Sequence, residues 1–213
     1  MTRARVVVID SGIDGHHQAL RGHTVVAGPT FGPTGISAAK DGDHDLLGHG
    51  TAVAATIVRF LADAAGAIEL VALRVFEREP TCNFATVLQA LRYALTLQPT
   101  LINLSLGTTS LRHRDELTAL VAAGKQQGTR LVAPASYGGL CCDPGNLANV
   151  EAVVGDPNVL PMCPELRPYG GRLIWFASPM PRPDADGVRR LLARGDSLAV
   201  AAVTGRLLRS SLP

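Results

Sequence analysis

Three residues far apart in the chain have the side-chain types that nucleophilic catalysis needs. Asp10 closes the apolar run Val6-Val7-Val8-Ile9, His49 stands between Gly48 and Gly50, and Ser197 follows Gly195-Asp196. A serine hydroxyl is a poor nucleophile until a base takes its proton, and imidazole is the side chain that does so near neutral pH. A carboxylate then holds the imidazole in one tautomer and stabilises the imidazolium. Asp, His, Ser is one of the chain orders in which this trio occurs. Taken singly, each residue has a plainer role: an aspartate after a strand opens a turn, a loop histidine is common, and a serine before a helix caps it.

The elements around the three decide whether they can meet. The β-branched run before Asp10 reads as a strand buried on both faces, with Asp10 at its carboxyl end. Gly48-His49-Gly50-Thr51 enters the alanine-rich stretch 52–58, a helix able to pack closely on a sheet. Ser197 opens the small and apolar run through Gly205, a buried helix whose free N–H groups could face an oxyanion. Residues 68–76, 101–107 and 129–135 read as further strands. Residues 84–97 and 114–127 read as amphipathic helices, the second closed by Gly128. Short strands are expected at 150–154 and 172–176, with loop at 136–149 and proline-rich chain at 157–168 and 179–183. Residues 15–45 read as a long loop with one short strand at 24–27. Strands alternating with helices predict an α/β fold: a three-layer, doubly wound, mainly parallel sheet flanked by helices, whose carboxyl edge collects functional residues. No linker divides the 213 residues, so one domain over 1–213 is expected.

Composition narrows the function classes. With 46% hydrophobic and 18% charged residues, a globular core is expected. A net charge of +2, without a basic stripe, points away from nucleic acid. No apolar run approaches a membrane span, and the run ending at Ile9 is too short for a signal-peptide core, so a cytoplasmic protein is expected. The four cysteines, Cys82, Cys141, Cys142 and Cys163, lack zinc-ribbon spacing and read as free thiols, with a bridge or metal clip between Cys141 or Cys142 and Cys163 as the alternative. Asp41, Asp43, His44 and Asp45 read as solvated loop residues rather than metal ligands; no metal and no cofactor is expected.

The three blocks Asp10-Ser11-Gly12-Ile13, His49-Gly50-Thr51-Ala52-Val53-Ala54 and Gly195-Asp196-Ser197-Leu198-Ala199, the last continuing through Val203-Thr204-Gly205, resemble the signature blocks of the subtilases, the subtilisin-like serine peptidases. The chain is in this respect similar to a small member of the family without signal peptide or prosegment. The resemblance implies Ser197 as nucleophile, His49 as general acid/base and Asp10 as orienting carboxylate. It implies that Ser105, Leu106 and Gly107 pair their backbone with an extended peptide, and that Ala133, Pro134 and Ala135 wall the pocket for the residue before the scissile bond. The implied activity is endopeptidase cleavage through an acyl-enzyme. The implied partner is a peptide or protein substrate, and relatives of this form include enzymes that trim one biosynthetic precursor, such as the leader peptides of ribosomally made natural products.

The chain departs from the family pattern at the oxyanion block, beside the serine, and at Ala201, where proline is usual. Where the family carries the oxyanion Gly-Asn, this chain has Ser136-Tyr137. Loss of one such donor costs roughly 10²–10³ in turnover; the Tyr137 hydroxyl or a reoriented Asn146 would have to replace it. Asp196 stands where threonine is usual. As an N-cap it would support the helix; as an anion ~6 Å from an oxyanion it would oppose catalysis by about 2–3 kcal/mol at an effective dielectric of ~20. These departures motivate an alternative, a weak or inactive pseudo-peptidase that binds an extended peptide. Gly195-Asp196-Ser197-Leu198 also spells the GDSL-esterase motif, but no histidine follows it.

Overall fold

Strand β1 (Ala4–Asp10) sets the architecture. Its alternate side chains fill two cores: Val6 and Val8 lie in one cluster, Val7 and Ile9 in the other, all essentially inaccessible. A strand buried on both faces needs helices above and below it, and the chain supplies them. The computed structural model describes residues 3–33, 35–37, 42–180 and 195–212.

The other strands of the main sheet are β2 (Thr24–Gly32), β3 (Gly35–Ser37), β4 (Ile68–Arg74), β5 (Leu101–Leu104), β6 (Arg130–Pro134), β9 (Val150–Gly155), β10 (Glu165–Tyr169) and β11 (Arg172–Ala177). A separate two-stranded ribbon is made by β7 (Ser136–Tyr137) and β8 (Leu140–Cys141). The nine strands lie in the order β10-β11-β9-β6-β5-β1-β4-β2-β3. All neighbours pair parallel except β10 with β11 and β2 with β3, the outermost pairs. This is the mainly parallel α/β sheet that the alternation of elements predicts.

Helices α1 (His49–Arg59) and α4 (Asp196–Ser211) cover one face; α2 (Phe84–Thr96) and α3 (Arg114–Gln126) cover the other. The alanines of α1 and α4 allow close crossing. A Cβ on Gly205 would lie 2.6 Å from the Phe60 ring and 2.7 Å from the Ile57 carbonyl, so only glycine fits there. The helix of Ser197 is thereby locked to the helix of His49. It runs six residues beyond Gly205, and its N-cap is Gly195, with Asp196 in the first turn rather than at the cap.

Three segments differ from the sequence expectation. Residues 15–45 hold a nine-residue strand, β2, which continues past Ala27 through a bulge. Gly28 makes this possible, since a Cβ there would meet the Ala72 carbonyl at 2.6 Å. Residues 136–149 contain the β7–β8 hairpin, and the proline-rich stretch 157–168 contributes β10. Both hairpins turn on paired left-handed glycines, Gly138-Gly139 (φ 58° and 82°) and Gly170-Gly171 (φ 55° and 77°). The expected proline-rich chain at 179–183 falls, from residue 181 on, outside the described residues, as does Asp41.

Candidate active site

The carboxyl ends of β1 and β5 are neighbours, and the groups of interest gather there. Asp10, the last residue of β1, is 1% exposed. Its Oδ1 accepts from the Ser11 backbone N–H at 2.8 Å and faces His49 Nδ1 at 2.6 Å. That short contact identifies Nδ1 as the protonated nitrogen and leaves Nε2 with a free lone pair. Burial pushes the His49 pKa down, but the hydrogen bond to Asp10 and the charges of Asp10 and Asp45 outweigh it, so the imidazole titrates above its ordinary 6.5.

His49 is the first residue of α1, and its placement depends on what holds that helix end. Gly48, the N-cap, has φ 70° and no side chain to offer. Asp45 does the capping instead. Its Oδ1 accepts from Gly48 N at 2.8 Å, Leu47 N at 3.2 Å and the Ser11 hydroxyl at 2.7 Å. Its Oδ2 accepts from Thr51 N at 2.8 Å and the Thr51 hydroxyl at 2.6 Å. Ser11 Oγ in turn accepts from Gly50 N at 3.0 Å. Asp45, read from sequence as a solvated loop residue, thus joins β1 to the start of α1 and orients the histidine. Gly50 is equally constrained: a Cβ there would lie 2.0 Å from the Gly12 carbonyl. Among the described residues no group of three or more His, Cys, Asp or Glu is arranged to hold a metal ion.

Ser197 is the second residue of α4. Its hydroxyl donates to the Ser105 carbonyl at 3.2 Å, not to His49. Because Ser105 follows β5 directly, this contact puts the serine at the same sheet edge as the Asp10–His49 pair. A buried network fixes that neighbourhood. The Thr204 hydroxyl lies 2.8 Å from Asn103 Oδ1, and Asn103 Nδ2 donates to Ser105 Oγ at 2.8 Å. Asn103 and Thr204 are inaccessible, so α4 and the end of β5 are held in register from within the core.

The remaining predicted residues border this edge. Ser105, Leu106 and Gly107 continue the path of β5 outside the sheet; Ala133 and Pro134 end β6, and Ala135 follows, donating its N–H to the Val153 carbonyl at 2.7 Å. Tyr137 projects from the β7–β8 hairpin with 71% of its surface exposed. The Asn146 amide is engaged, with its Nδ2 2.7 Å from the carbonyls of both Ala135 and Cys142. Asp196 takes a backbone hydrogen bond from Gly155, but burial outweighs it and raises its carboxyl pKa. The four cysteines are unpaired; Cys142 is buried, while Cys141 and Cys163 are exposed.

Fold and site together define a class: an α/β protein with a buried carboxylate–imidazole pair and a helix-borne serine at the carboxyl edge of a parallel sheet. The chain belongs to the subtilase family, whose sequence profile matches residues 2–154. That stretch includes Asp10 and His49 and ends before Ser197. A thermostable alkaline protease of Halalkalibacterium halodurans is 34% identical over 152 residues, which is 64% of this chain and 40% of that protein. The chain therefore spans less than half the length of this relative. A cold-adapted subtilisin-like serine proteinase superposes with a TM-score of 0.66 at 19% identity, over 97% of this chain and 76% of that one. A lanthipeptide protease superposes with a TM-score of 0.63 at 18% identity, over 95% and 72%. Both likenesses establish the subtilisin-like fold.

Proposed function

We propose that this protein is a serine endopeptidase in which Ser197 attacks, His49 relays the proton and Asp10 orients His49. The observation that carries the reading is the 2.6 Å contact between His49 Nδ1 and the buried Asp10 carboxylate, at the edge where Ser197 docks. The first step requires the Ser197 hydroxyl to turn from the Ser105 carbonyl to His49 Nε2. Its oxygen then bonds to the substrate carbonyl carbon as its proton passes to Nε2. The oxyanion receives the Ser197 backbone N–H, one of the unpaired donors of the first turn of α4. Imidazolium, stabilised by Asp10, returns the proton to the leaving amine, and water hydrolyses the acyl-enzyme by the same route. An extended peptide lies along Ser105–Gly107, with Ala133–Ala135 on its other side. Tyr137 is the side chain proposed as second oxyanion donor, which its hairpin must bring inward.

The finer form of the proposal is processing of a dedicated precursor peptide, which the likeness to a lanthipeptide protease supports; a cytoplasmic location is part of the proposal and rests on the sequence alone. A second reading has its own observations: the serine is bonded away from the base, and the Asn146 amide is already engaged. On that reading the protein binds an extended peptide without cutting it. A fluorophosphonate probe separates the two. Labelling of wild type but not of Ser197→Ala supports the peptidase; absence of label from both supports the binding module.

A further inference from the structure

Cys142, one of the thiols expected from sequence to be free, lies between the end of β6 and the segment that follows β5. Cys142 is 1% exposed, and its thiol lies 3.2 Å from the Pro134 carbonyl, on the wall. On the other side the same sulfur faces Gly107: a Cβ built there would lie 2.8 Å from Sγ. The thiol thus spans from the wall to the substrate strand.

The backbone around it is laced to both sides. Cys142 N donates to the Ala135 carbonyl at 3.1 Å, and Thr108 and Asp143 exchange two hydrogen bonds of 2.8 Å. Asn146 Nδ2 holds the Cys142 carbonyl at 2.7 Å. The main chain that carries the sulfur is therefore fixed on both sides, and the thiol itself bonds to the Pro134 carbonyl.

We propose that Cys142 plugs the recess between Gly107 and Pro134, so that the residue immediately before the scissile bond must be glycine, alanine or serine. The inference rests on the reading of Ser105–Gly107 and Ala133–Ala135 as the two sides of the substrate groove. The surroundings also decide what the thiol is not. Burial and the nearby charges of Asp143 and Asp196 push its pKa up to about 12, so it stays a neutral filler rather than a thiolate nucleophile. The plug leaves no depth for lysine, arginine, leucine or phenylalanine.

The test has a cleavage arm and a binding arm. In the first, a peptide library is digested by wild type, Cys142→Ala and Cys142→Gly, and cut positions are read by mass spectrometry. In the second, acetylated tetrapeptides differing only in the last residue, alanine or phenylalanine, are titrated calorimetrically into Ser197→Ala with and without Cys142→Gly. Wild type should favour alanine over phenylalanine before the cut by about 100-fold or more, and Cys142→Gly should narrow that ratio at least tenfold, the scale on which pocket volume discriminates side chains. Should neither variant fold, the wild-type preference decides alone. Cutting after leucine, phenylalanine, lysine or arginine by wild type overturns the inference while leaving the peptidase reading intact. Absence of fluorophosphonate label, with alanine still bound tenfold tighter than phenylalanine, overturns the peptidase reading and leaves the plug standing. Equal binding of the two peptides, or binding of neither, overturns the plug.

Discussion

Replacing Asp45 by asparagine tests the claim that a non-catalytic carboxylate holds the base in place. Both oxygens of Asp45 accept only: Gly48 N, Leu47 N and Ser11 Oγ on one, Thr51 N and Thr51 Oγ on the other. An asparagine amide must turn its NH₂ toward one of these sets, where it meets donors. The smaller loss is on the Thr51 side. There the backbone N–H cannot turn away, and Thr51 is buried. One backbone N–H deprived of a charged acceptor costs about 1.5–3 kcal/mol. For a chain of this size that lowers Tm by about 3–12 °C. Activity gives the second readout. His49 must be neutral to accept the serine proton, so kcat/KM rises with pH through its pKa. Asp10 from β1 and Asp45 from the preceding loop are the anions that hold this pKa above 6.5. Without the Asp45 charge the rise must move to lower pH. The assay is the pH profile of kcat/KM on a chromogenic peptide, alongside thermal unfolding. An unchanged Tm with an unmoved or upward-shifted acid limb would refute the reasoning.

Five further outcomes are expected. In wild type the acid limb of kcat/KM should lie above pH 6.5, and Asp10→Asn, which permits the wrong His49 tautomer, should cut kcat by about 10⁴; a loss under tenfold in steady-state kinetics counts against the triad. Asp196→Asn removes the carboxylate next to Ser197 and, on the proposed mechanism, should raise kcat by up to about 100-fold, from the 2–3 kcal/mol repulsion expected at ~6 Å and an effective dielectric of ~20; an unchanged kcat shows that the charge does not reach the oxyanion. Thr204→Val removes the hydroxyl paired with buried Asn103 and should cost about 1–3 kcal/mol in denaturant unfolding; a loss under 0.5 kcal/mol would mean the network contributes nothing. Gly50→Ala places a methyl 2.0 Å from the Gly12 carbonyl and should yield little folded protein; wild-type circular dichroism and Tm would contradict the packing described here.

Much of the sheet was legible because its strands are continuous apolar runs between helices of clear periodicity. Val6–Ile9 and Leu101–Leu104 could hardly be anything but strands buried on both faces. What escaped notice was short and edge-bound. β10 carries Pro168 and pairs only with β11, so its residues Glu165–Tyr169 show no burial pattern. Its one signal was Gly170-Gly171, and Gly138-Gly139 was the matching signal for β7–β8. The site divided in the same way. Asp10, His49 and Ser197 stood out by type and local frame, whereas Asp45 looked like one of several loop acids.

Residue types and local order were thus enough to foretell the α/β scaffold, and to single out Asp10, His49 and Ser197 as candidates, because buried strands and small-residue helices leave a pattern in the chain itself. Contacts across long separations were decided only by folding. The Asp45 bonds to Ser11, the Thr204–Asn103 pair and the Cys142 thiol against Gly107 join residues that lie 34, 101 and 35 positions apart. No periodicity records such partners, since each arises from where the sheet happens to bring two turns together. The same holds for the hydroxyl of Ser197, whose present partner is a carbonyl 92 residues away.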